Sequence, residues 1–289
     1  MMRSPRLLAA LLVPLVRLQR GRLGEAAPAV ERVARLRLSP VERAAEAAVD
    51  GYRASLAASG ETLRVEDHGA GTRAGVLAGE AKPAERRVAD VYRRAAASPG
   101  WGRFLFLLAR AARPRRVLEL GTHLGVSAAH LAAALALNEA EGAPAGRLVT
   151  LEGDPGLAGR ARRALAALGH ADRTTTVVGP FAESLPGVLA EHDPWDLVFL
   201  DGHHEEAATL RYVDLIRPHL APGACVLFDD IEPGRPVRRA WRRVLREVPH
   251  AGAADLLGLG LLVLPPSPDA SPGANPRRRL GRERAALPQ

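Results

Sequence analysis

The chain has 289 residues, 47% of them hydrophobic, which is enough for one sizeable α/β domain with extensions. A formal net charge of +8 would suit a nucleic-acid partner, but only Lys82 among the 40 basic residues is a lysine, and the arginines are interspersed with Asp and Glu. This mixture predicts a solvated surface of mixed charge and argues against a nucleic-acid partner.

Residues 1–40 are predicted to form a basic leader that is disordered or amphipathic. The apolar run 7–16 matches a signal-peptide core in length and is too short to span a bilayer. Arginines follow it where a cleavage site would be expected, at Arg17, Arg20 and Arg22. The single cysteine, Cys225, excludes an intrachain disulfide, so we expect a buried thiol and a cytoplasmic protein without a membrane span.

Residues 41–112 are predicted to form a helical N-terminal extension. Apolar residues recur at helical spacing from Val41 to Ser59, and further helices are expected at Pro83–Ala97 and Trp101–Ala112. The glycine-rich stretch Asp67–Thr72 between them has no regular pattern, and its role stays open.

From Arg115 onward, short apolar strands alternate with amphipathic helices. This alternation is typical of parallel βαβ units, whose right-handed crossovers bring all strand carboxyl ends to one edge of the sheet. The predicted strands cover 116–120, 148–152, 174–178, 196–200 and 224–228, and the helices cover 127–137, 155–168, 184–191, 205–220 and 237–248.

The last apolar segment, Ala253–Leu264, is split by Gly258 and Gly260 and is predicted to be a terminal hairpin. The fold class is therefore α/β: a Rossmann-like, doubly wound, seven-stranded, mostly parallel sheet with a terminal antiparallel hairpin, over residues 113–265. Residues 266–289 are rich in Pro, Ser, Gly and Arg, and we expect a disordered tail there.

The predicted strand ends carry the residues of chemical interest. Ligands of open parallel sheets bind beyond the carboxyl ends of the strands. Each of the five strand ends has a carboxylate or a glycine-bearing loop, which predicts a binding site at this edge. In chain order, these residues are Glu119 with Gly121, Glu152, 179–181, Asp201, and Asp229 with Asp230.

The first loop reads E-x-G-x-x-x-G-x-S from Glu119 to Ser127. Its glycines let the backbone approach a ligand, and the helix that follows favours an anion at its N-terminus. Glu119 would repel a pyrophosphate and attract an ammonium group, while Glu152 suits a ribose diol. S-adenosylmethionine carries an ammonium, a carboxylate and a ribose, so we expect it as the ligand.

Residues 117–127 resemble the first motif of class I methyltransferases, in particular the catechol O-methyltransferase-like group. Residues 201–204 resemble the D-G-x-H signature of a related bacterial branch, and residues 228–231 resemble its D-D motif. The likeness extends from about Asp67 to Leu264. It implies cofactor contacts for Glu119 and Asp201 at the ammonium, Ser127 at the carboxylate, Glu152 at the ribose and Phe181 near the adenine, with Gly121, Thr122 and Gly125 in the loop.

The resemblance also implies a mechanism. Catechol-type enzymes hold Mg²⁺ with two carboxylates and an amide, and a lysine takes the proton of the acceptor. Here Asp201, Asp229 and Asp230 would be the metal ligands, and His204, acting with Asp201, would be the base. Asp230 replaces the usual amide and His204 the usual lysine. It therefore stays open whether a metal binds, whether Asp230 only caps the next segment, and whether His204 only packs or caps.

These inferences predict an S-adenosylmethionine-dependent methyltransferase that methylates a hydroxyl of a small molecule, with Mg²⁺ as an optional cofactor. An NAD-dependent oxidoreductase would require a third glycine in the first loop and an apolar residue in place of Glu119. A non-catalytic nucleic-acid-binding module would leave Glu119 and Asp201 dispensable. The methyl acceptor stays open. The oligomeric state also stays open, and a homo-oligomer is compatible with the sequence.

Overall fold

The computed structural model describes residues 32, 38–65, 84–192, 194–256 and 258–267. The predictions for most of the basic leader, for the Asp67–Thr72 loop and for the tail beyond residue 267 lie outside these residues. Within them, no helix combines the length and apolar character needed to cross a membrane.

The first described helix, α1, spans Pro40–Ala58, as its apolar spacing predicts. A reciprocal capping box fixes its start: the Glu42 amide donates to the Ser39 hydroxyl, and the Ser39 amide donates to the Glu42 carboxylate. Two more helices of the N-terminal extension follow, α2 at Val88–Ala95 and α3 at Pro99–Ala112.

The extension also contains a small antiparallel sheet, which the sequence did not predict. Strand β1 (Thr62–Val65) pairs with β2 (Ala84–Arg87) in the register Thr62↔Arg87 to Val65↔Ala84. The predicted helix at 83–97 is therefore wrong over its first turn. The residues of β2 favour helices by intrinsic propensity, but β1 offers backbone partners from 19 to 25 positions away, and this long-range pairing overrides the local preference.

The main sheet has seven strands in the order β5-β4-β3-β6-β7-β9-β8, which confirms the predicted fold class. The first five are parallel, and β9 runs antiparallel to both β7 and β8. The strands are β3 Arg116–Leu120, β4 Arg147–Glu152, β5 Thr174–Val178, β6 Trp195–Leu200, β7 Leu220–Phe228, β8 Gly252–Asp255 and β9 Gly260–Val263.

Helices cover both faces of this sheet and enclose two apolar layers. One layer packs α3 and the next helix, α4, on strand residues such as Val117 and Phe199. The other packs the last three helices on residues such as Leu118 and Val198. Successive side chains of β3 and β6 enter the two layers in turn, so both strands are buried on both faces. These helices are α4 Val126–Ala140, α5 Pro155–Ala167, α6 Phe181–Glu191, α7 Glu206–Ile216 and α8 Pro236–Glu247.

One predicted helix is too long at its C-terminal end. The helix expected to run to residue 220 ends at Ile216, where a short 3-10 turn at Arg217–His219 leads into β7. Pro218 explains the end, because it has no backbone N–H to continue the helical hydrogen bonds. Cys225 lies in β7 and is buried, as expected.

The strand order reverses direction between β3 and β6. From β3 the chain winds through β4 to β5 on one side, and it then returns to continue through β6 and β7 on the other. Loops that leave β3 and β6 diverge and open a crevice between them. The ends of these two strands are therefore where a ligand site is expected.

Candidate functional site

Four of the predicted carboxylates come together along the carboxyl edge of the sheet. Backbone hydrogen bonds hold the strand ends side by side: the Asp201 amide donates to the Leu120 carbonyl at 2.9 Å, and the Asp229 amide donates to the Leu200 carbonyl at 3.0 Å. The Gly179 amide donates to the Glu152 carbonyl at 2.9 Å. Neighbouring strands thus deliver Glu152, Glu119, Asp201 and Asp229 in this spatial order.

The glycine loop after β3 leaves no room for side chains. Gly121 has φ +104°, and an added Cβ would lie 2.0 Å from the Asp201 carbonyl oxygen. Gly125 has φ +76°, and its added Cβ would lie 3.0 Å from the Ala161 Cβ. Gly125 is also the N-cap of α4 and makes no side-chain capping bond, so the first amides of α4 lack a side-chain cap. The loop therefore fits an anionic group at this helix start.

Glu119 lies in the interior of the crevice and is fully buried. Its Oε2 accepts a 2.6 Å hydrogen bond from the Thr150 hydroxyl, while its Oε1 is buried and has no hydrogen-bond partner among the described residues. Burial raises the pKa of Glu119 to about 7, although the nearby hydroxyl groups of Ser127 and Thr150 oppose the shift. A buried, half-satisfied carboxylate is costly unless a cationic or donor group binds it.

Thr150 is a site residue that the sequence analysis missed. It stands in the middle of β4, directly opposite Glu119 in the sheet register, and its hydroxyl also contacts that of Thr122. The strand-to-strand register is the only signal that places it there, and register is a long-range property. Thr122, predicted from its place in the loop, is buried beside it.

Glu152 is held by two backbone amides. The amide of His123 donates to its Oε2 at 2.6 Å, and that of Asp154 donates to its Oε1 at 3.0 Å. Burial raises the pKa of Glu152, and burial lowers the pKa of the adjacent His123 to about 4, which leaves a neutral imidazole. Each carboxylate oxygen can accept a further hydrogen bond, so Glu152 suits a diol.

An aromatic wall closes the other side of the crevice. Phe181 opens α6 and packs edge-on against Tyr212, with ring centroids 5.9 Å apart. A Cβ added to Gly202 would lie 2.5 Å from the Phe181 ring, so this glycine lets the ring approach. His203 lies 3.0 Å from the Tyr212 hydroxyl through its Nδ1. The role of Tyr212 in this wall was not predicted.

His204 lies between two carboxylates at the ends of β6 and β7. Its Nδ1 is 3.4 Å from Asp230 Oδ2, and its Nε2 is 3.9 Å from Asp201 Oδ1. Asp230 has φ +58°, and its Oδ1 lies 3.8 Å from an Arg235 guanidinium nitrogen. The predicted metal ligand Asp230 thus faces His204 and Arg235.

The carboxyl groups of Asp201 and Asp229 interact with each other at the ends of β6 and β7. Burial, followed by the charge of Asp229, raises the pKa of Asp201 well above its usual range, and burial also raises that of Asp229. Carboxylate oxygens of this kind suit a hard divalent cation. In the part of the chain that the structure describes, however, no three His, Cys, Asp or Glu side chains are spaced to hold a metal ion.

Comparison with known proteins agrees with this geometry. Residues 118–231 match the family model described as a methyltransferase domain. The chain is 39% identical over 141 residues to the catechol O-methyltransferase of Mycobacterium tuberculosis, a match that covers 49% of this chain and 59% of that protein. The chain thus spans less than two thirds of the length of this curated relative.

Two solved structures share the fold. The cofactor-bound protein Rv0187 from MTB is 28% identical with a TM-score of 0.51, and the match covers 79% of this chain and 91% of that one. The O-methyltransferase from Bacillus cereus in complex with SAH has a TM-score of 0.51 at 24% identity, over 59% of this chain and 83% of that one. The resemblance to class I methyltransferases stated from the sequence is confirmed.

Proposed function

We propose that the protein transfers a methyl group from S-adenosylmethionine to a hydroxyl of a small molecule; the match of residues 118–231 to a methyltransferase domain model and the likeness to a catechol O-methyltransferase support this proposal. The observation that carries the proposal is Glu119, a fully buried carboxylate at the strand-order reversal whose Oε1 has no partner among the described residues. An ammonium group satisfies such an oxygen, whereas a dinucleotide pyrophosphate would be repelled by it.

The cofactor would lie across the glycine loop. Glu119 and Asp201 would bind its ammonium, and Ser127 with the uncapped start of α4 would bind its carboxylate. Glu152, already fixed by two amides, would accept from the ribose hydroxyls, and Phe181 would contact the adenine. Gly121, Thr122 and Gly125 would contribute the close backbone surface of the loop.

His204 would serve as the general base. When bound, S-adenosylmethionine would supply an electrophilic methyl group on a sulfonium, which the acceptor oxygen would take while the sulfur leaves as a neutral thioether. His204 would accept the hydroxyl proton, with Asp230 3.4 Å from its Nδ1 to stabilise the imidazolium. Most of the remaining acceleration would come from aligning the two reactants.

We propose Asp201 and Asp229 as the ligands of a Mg²⁺ ion, since both supply hard oxygen donors and their strand ends lie side by side. When bound, the ion would lower the pKa of the acceptor hydroxyl. Asp230 would be the weaker ligand, because His204 and Arg235 already lie next to it.

The organisation of the chain follows as part of the proposal. Residues 113–265 would form the catalytic domain, and residues 41–112 an extension that helps to enclose a small-molecule acceptor. We place the protein in the cytoplasm, since its only cysteine is a buried free thiol.

Calorimetric titration with S-adenosylmethionine, with and without Mg²⁺, tests the proposal. We expect micromolar binding to the wild type and strong weakening in Glu119→Gln, which keeps the shape of the side chain and removes its charge. Glu191→Gln, at the exposed C-terminal end of α6, is the matched control and should bind normally. Absence of wild-type binding at high micromolar cofactor would rule the proposal out.

A further inference from the structure

One side chain of the N-terminal extension makes a hydrogen bond to the glycine loop. The hydroxyl of Tyr52, on α1, donates a 2.6 Å hydrogen bond to the backbone carbonyl oxygen of Leu124, a residue 72 positions later in the chain. The helical bonds of α4 begin at the next carbonyl, that of Gly125, which accepts from the Ala129 amide. Tyr52 therefore satisfies a loop carbonyl that precedes the first helical bond.

This carbonyl occupies a critical place in the loop. Leu124 stands between His123 and Gly125, which have φ +50° and +76°. Both neighbours of Leu124 thus have left-handed backbone conformations, so the loop is not held by the regular hydrogen bonds of a strand or helix. His123, directly before Leu124, donates its amide to Glu152. A shift of the Leu124 peptide would therefore move the amide that fixes the proposed ribose-binding carboxylate.

The packing around Tyr52 holds the phenol against the loop. The side chain of Leu124 is fully buried in a small apolar cluster with Leu56 of α1, Val88 of α2 and Leu157 of α5. Tyr52 lies at the edge of this cluster. The extension and the loop thus pack against each other through this cluster.

The chemical state of Tyr52 suits a permanent donor. Burial raises its pKa to about 12, against the opposing effect of nearby Arg160, so the hydroxyl keeps its proton throughout the neutral range. Arg160 belongs to α5 and forms an ion pair with Glu61, just beyond α1. This ion pair adds a second tie between the extension and the domain core.

We propose that Tyr52 is a positioning residue for cofactor binding: its hydrogen bond to Leu124 sets the conformation of residues 121–125 that receives the nucleoside sulfonium. The N-terminal extension is then part of the cofactor site. This inference rests on the function proposed above, and it gives the N-terminal extension a role in cofactor binding that the motifs of the loop do not indicate.

The test compares Tyr52→Phe with the wild type. The substitution removes only the hydroxyl, and we expect S-adenosylmethionine affinity to fall about 3- to 10-fold, the loss typical of one hydrogen bond. Titration at a temperature where both proteins are fully folded separates this effect from a loss of stability. Hydrogen–deuterium exchange of the amides of residues 121–125, without ligand, should be faster in the variant.

Tyr92→Phe is the matched control. Tyr92 borders the same cluster, and its ring lies under the guanidinium of Arg53 at 5.6 Å, away from the loop carbonyl. It should keep wild-type affinity and exchange. Equal affinity and loop exchange in Tyr52→Phe and the wild type would overturn the positioning role alone. A wild type that binds no cofactor would overturn the proposed function as well, so the two failures are distinguishable.

Discussion

At the scale of single residues, Glu119 combines a proposed binding role with an unfavourable burial. Its carboxyl is fully buried, and its pKa is raised to about 7 by that burial. The structure keeps this group at the crevice with only one oxygen satisfied among the described residues. Cofactor binding is the event expected to offset the cost, because an ammonium group favours the ionised form.

The raised pKa of Glu119 predicts a pH-dependent stability of the cofactor-free protein. The folded state binds the proton more tightly than the unfolded chain, so the contribution is complete below about pH 4.5 and is lost as the pH rises to about 7. Relative to Glu119→Gln, the wild type should lose on the order of 2–3 kcal/mol of unfolding free energy across this window. Urea unfolding at pH 4.5, 6 and 7.5 measures the difference; a constant offset would contradict the prediction.

His204 carries the prediction for catalysis. If it accepts the acceptor proton, His204→Ala should lower kcat by about 100-fold or more and leave cofactor affinity nearly unchanged. A methyl-transfer assay with a catechol as the first test acceptor, together with calorimetry, measures both quantities. His192→Ala, on the surface beyond α6, is the control and should keep full turnover. A joint loss of affinity and turnover would point to a structural role for His204.

At the scale of elements, α1, α3 and α4 meet around a buried histidine. His130 of α4 is 1% exposed, and its Nδ1 lies 2.8 Å from Glu46 Oε1 of α1. Gly102 of α3 covers the other ring nitrogen, and a Cβ there would lie 2.3 Å from it. The lack of a side chain at Gly102 is what allows three helices to pack around one polar pair.

Gly102→Ala should therefore destabilise the protein. The new methyl group collides with an imidazole that Glu46 already holds, and overpacking of this kind costs about 1–3 kcal/mol. Gly51→Ala in α1 is the matched control: among the described residues, no neighbouring atom lies within 4 Å of an added Cβ, and the substitution should stabilise its helix by about 0.5–1 kcal/mol. Urea unfolding of both variants gives the two signs; equal effects would refute the packing argument.

At the scale of the whole molecule, the extension and the sheet share one core. Phe104 to Ala109 of α3 are at most 1% exposed and lie in the same cluster as Val117 and Leu197 of the sheet. The division proposed at residue 113 stays a prediction, but this packing places α3 in one core with the main sheet.

Truncation tests where the core begins. A fragment that starts at residue 113 would expose the apolar surface that α3 covers, so it should aggregate or lose cooperative unfolding. A fragment that starts at residue 97 retains α3 and its Ser98 cap, and it should stay folded under conditions in which the shorter fragment does not. Chemical unfolding followed by circular dichroism distinguishes them, and a stable, cooperative 113–289 fragment would show that α3 is dispensable.

The fold and most of the site could be predicted because their signals are local. The alternation of strands and helices after Arg115 is encoded in hydrophobic periodicity, and the position of all strand carboxyl ends at one edge follows from right-handed crossovers. Gly121 and Gly125 mark turns at which the backbone has a positive φ, a conformation that glycine adopts readily. Carboxylates that directly follow strands lie at the ligand edge of such a sheet. These features depend on neighbours within a few positions, so the sequence by itself determined them.

Other features depend on partners far apart in the chain, and only the tertiary structure decided them. Ala84–Arg87 is a strand because β1 pairs with it, and Thr150 reaches Glu119 because the sheet register sets them opposite each other. Asp230 faces His204 across two strand ends, and Tyr52 meets Leu124 from another helix. Local propensity contains no information about such contacts, since they form only when the packed core brings distant segments within hydrogen-bond distance.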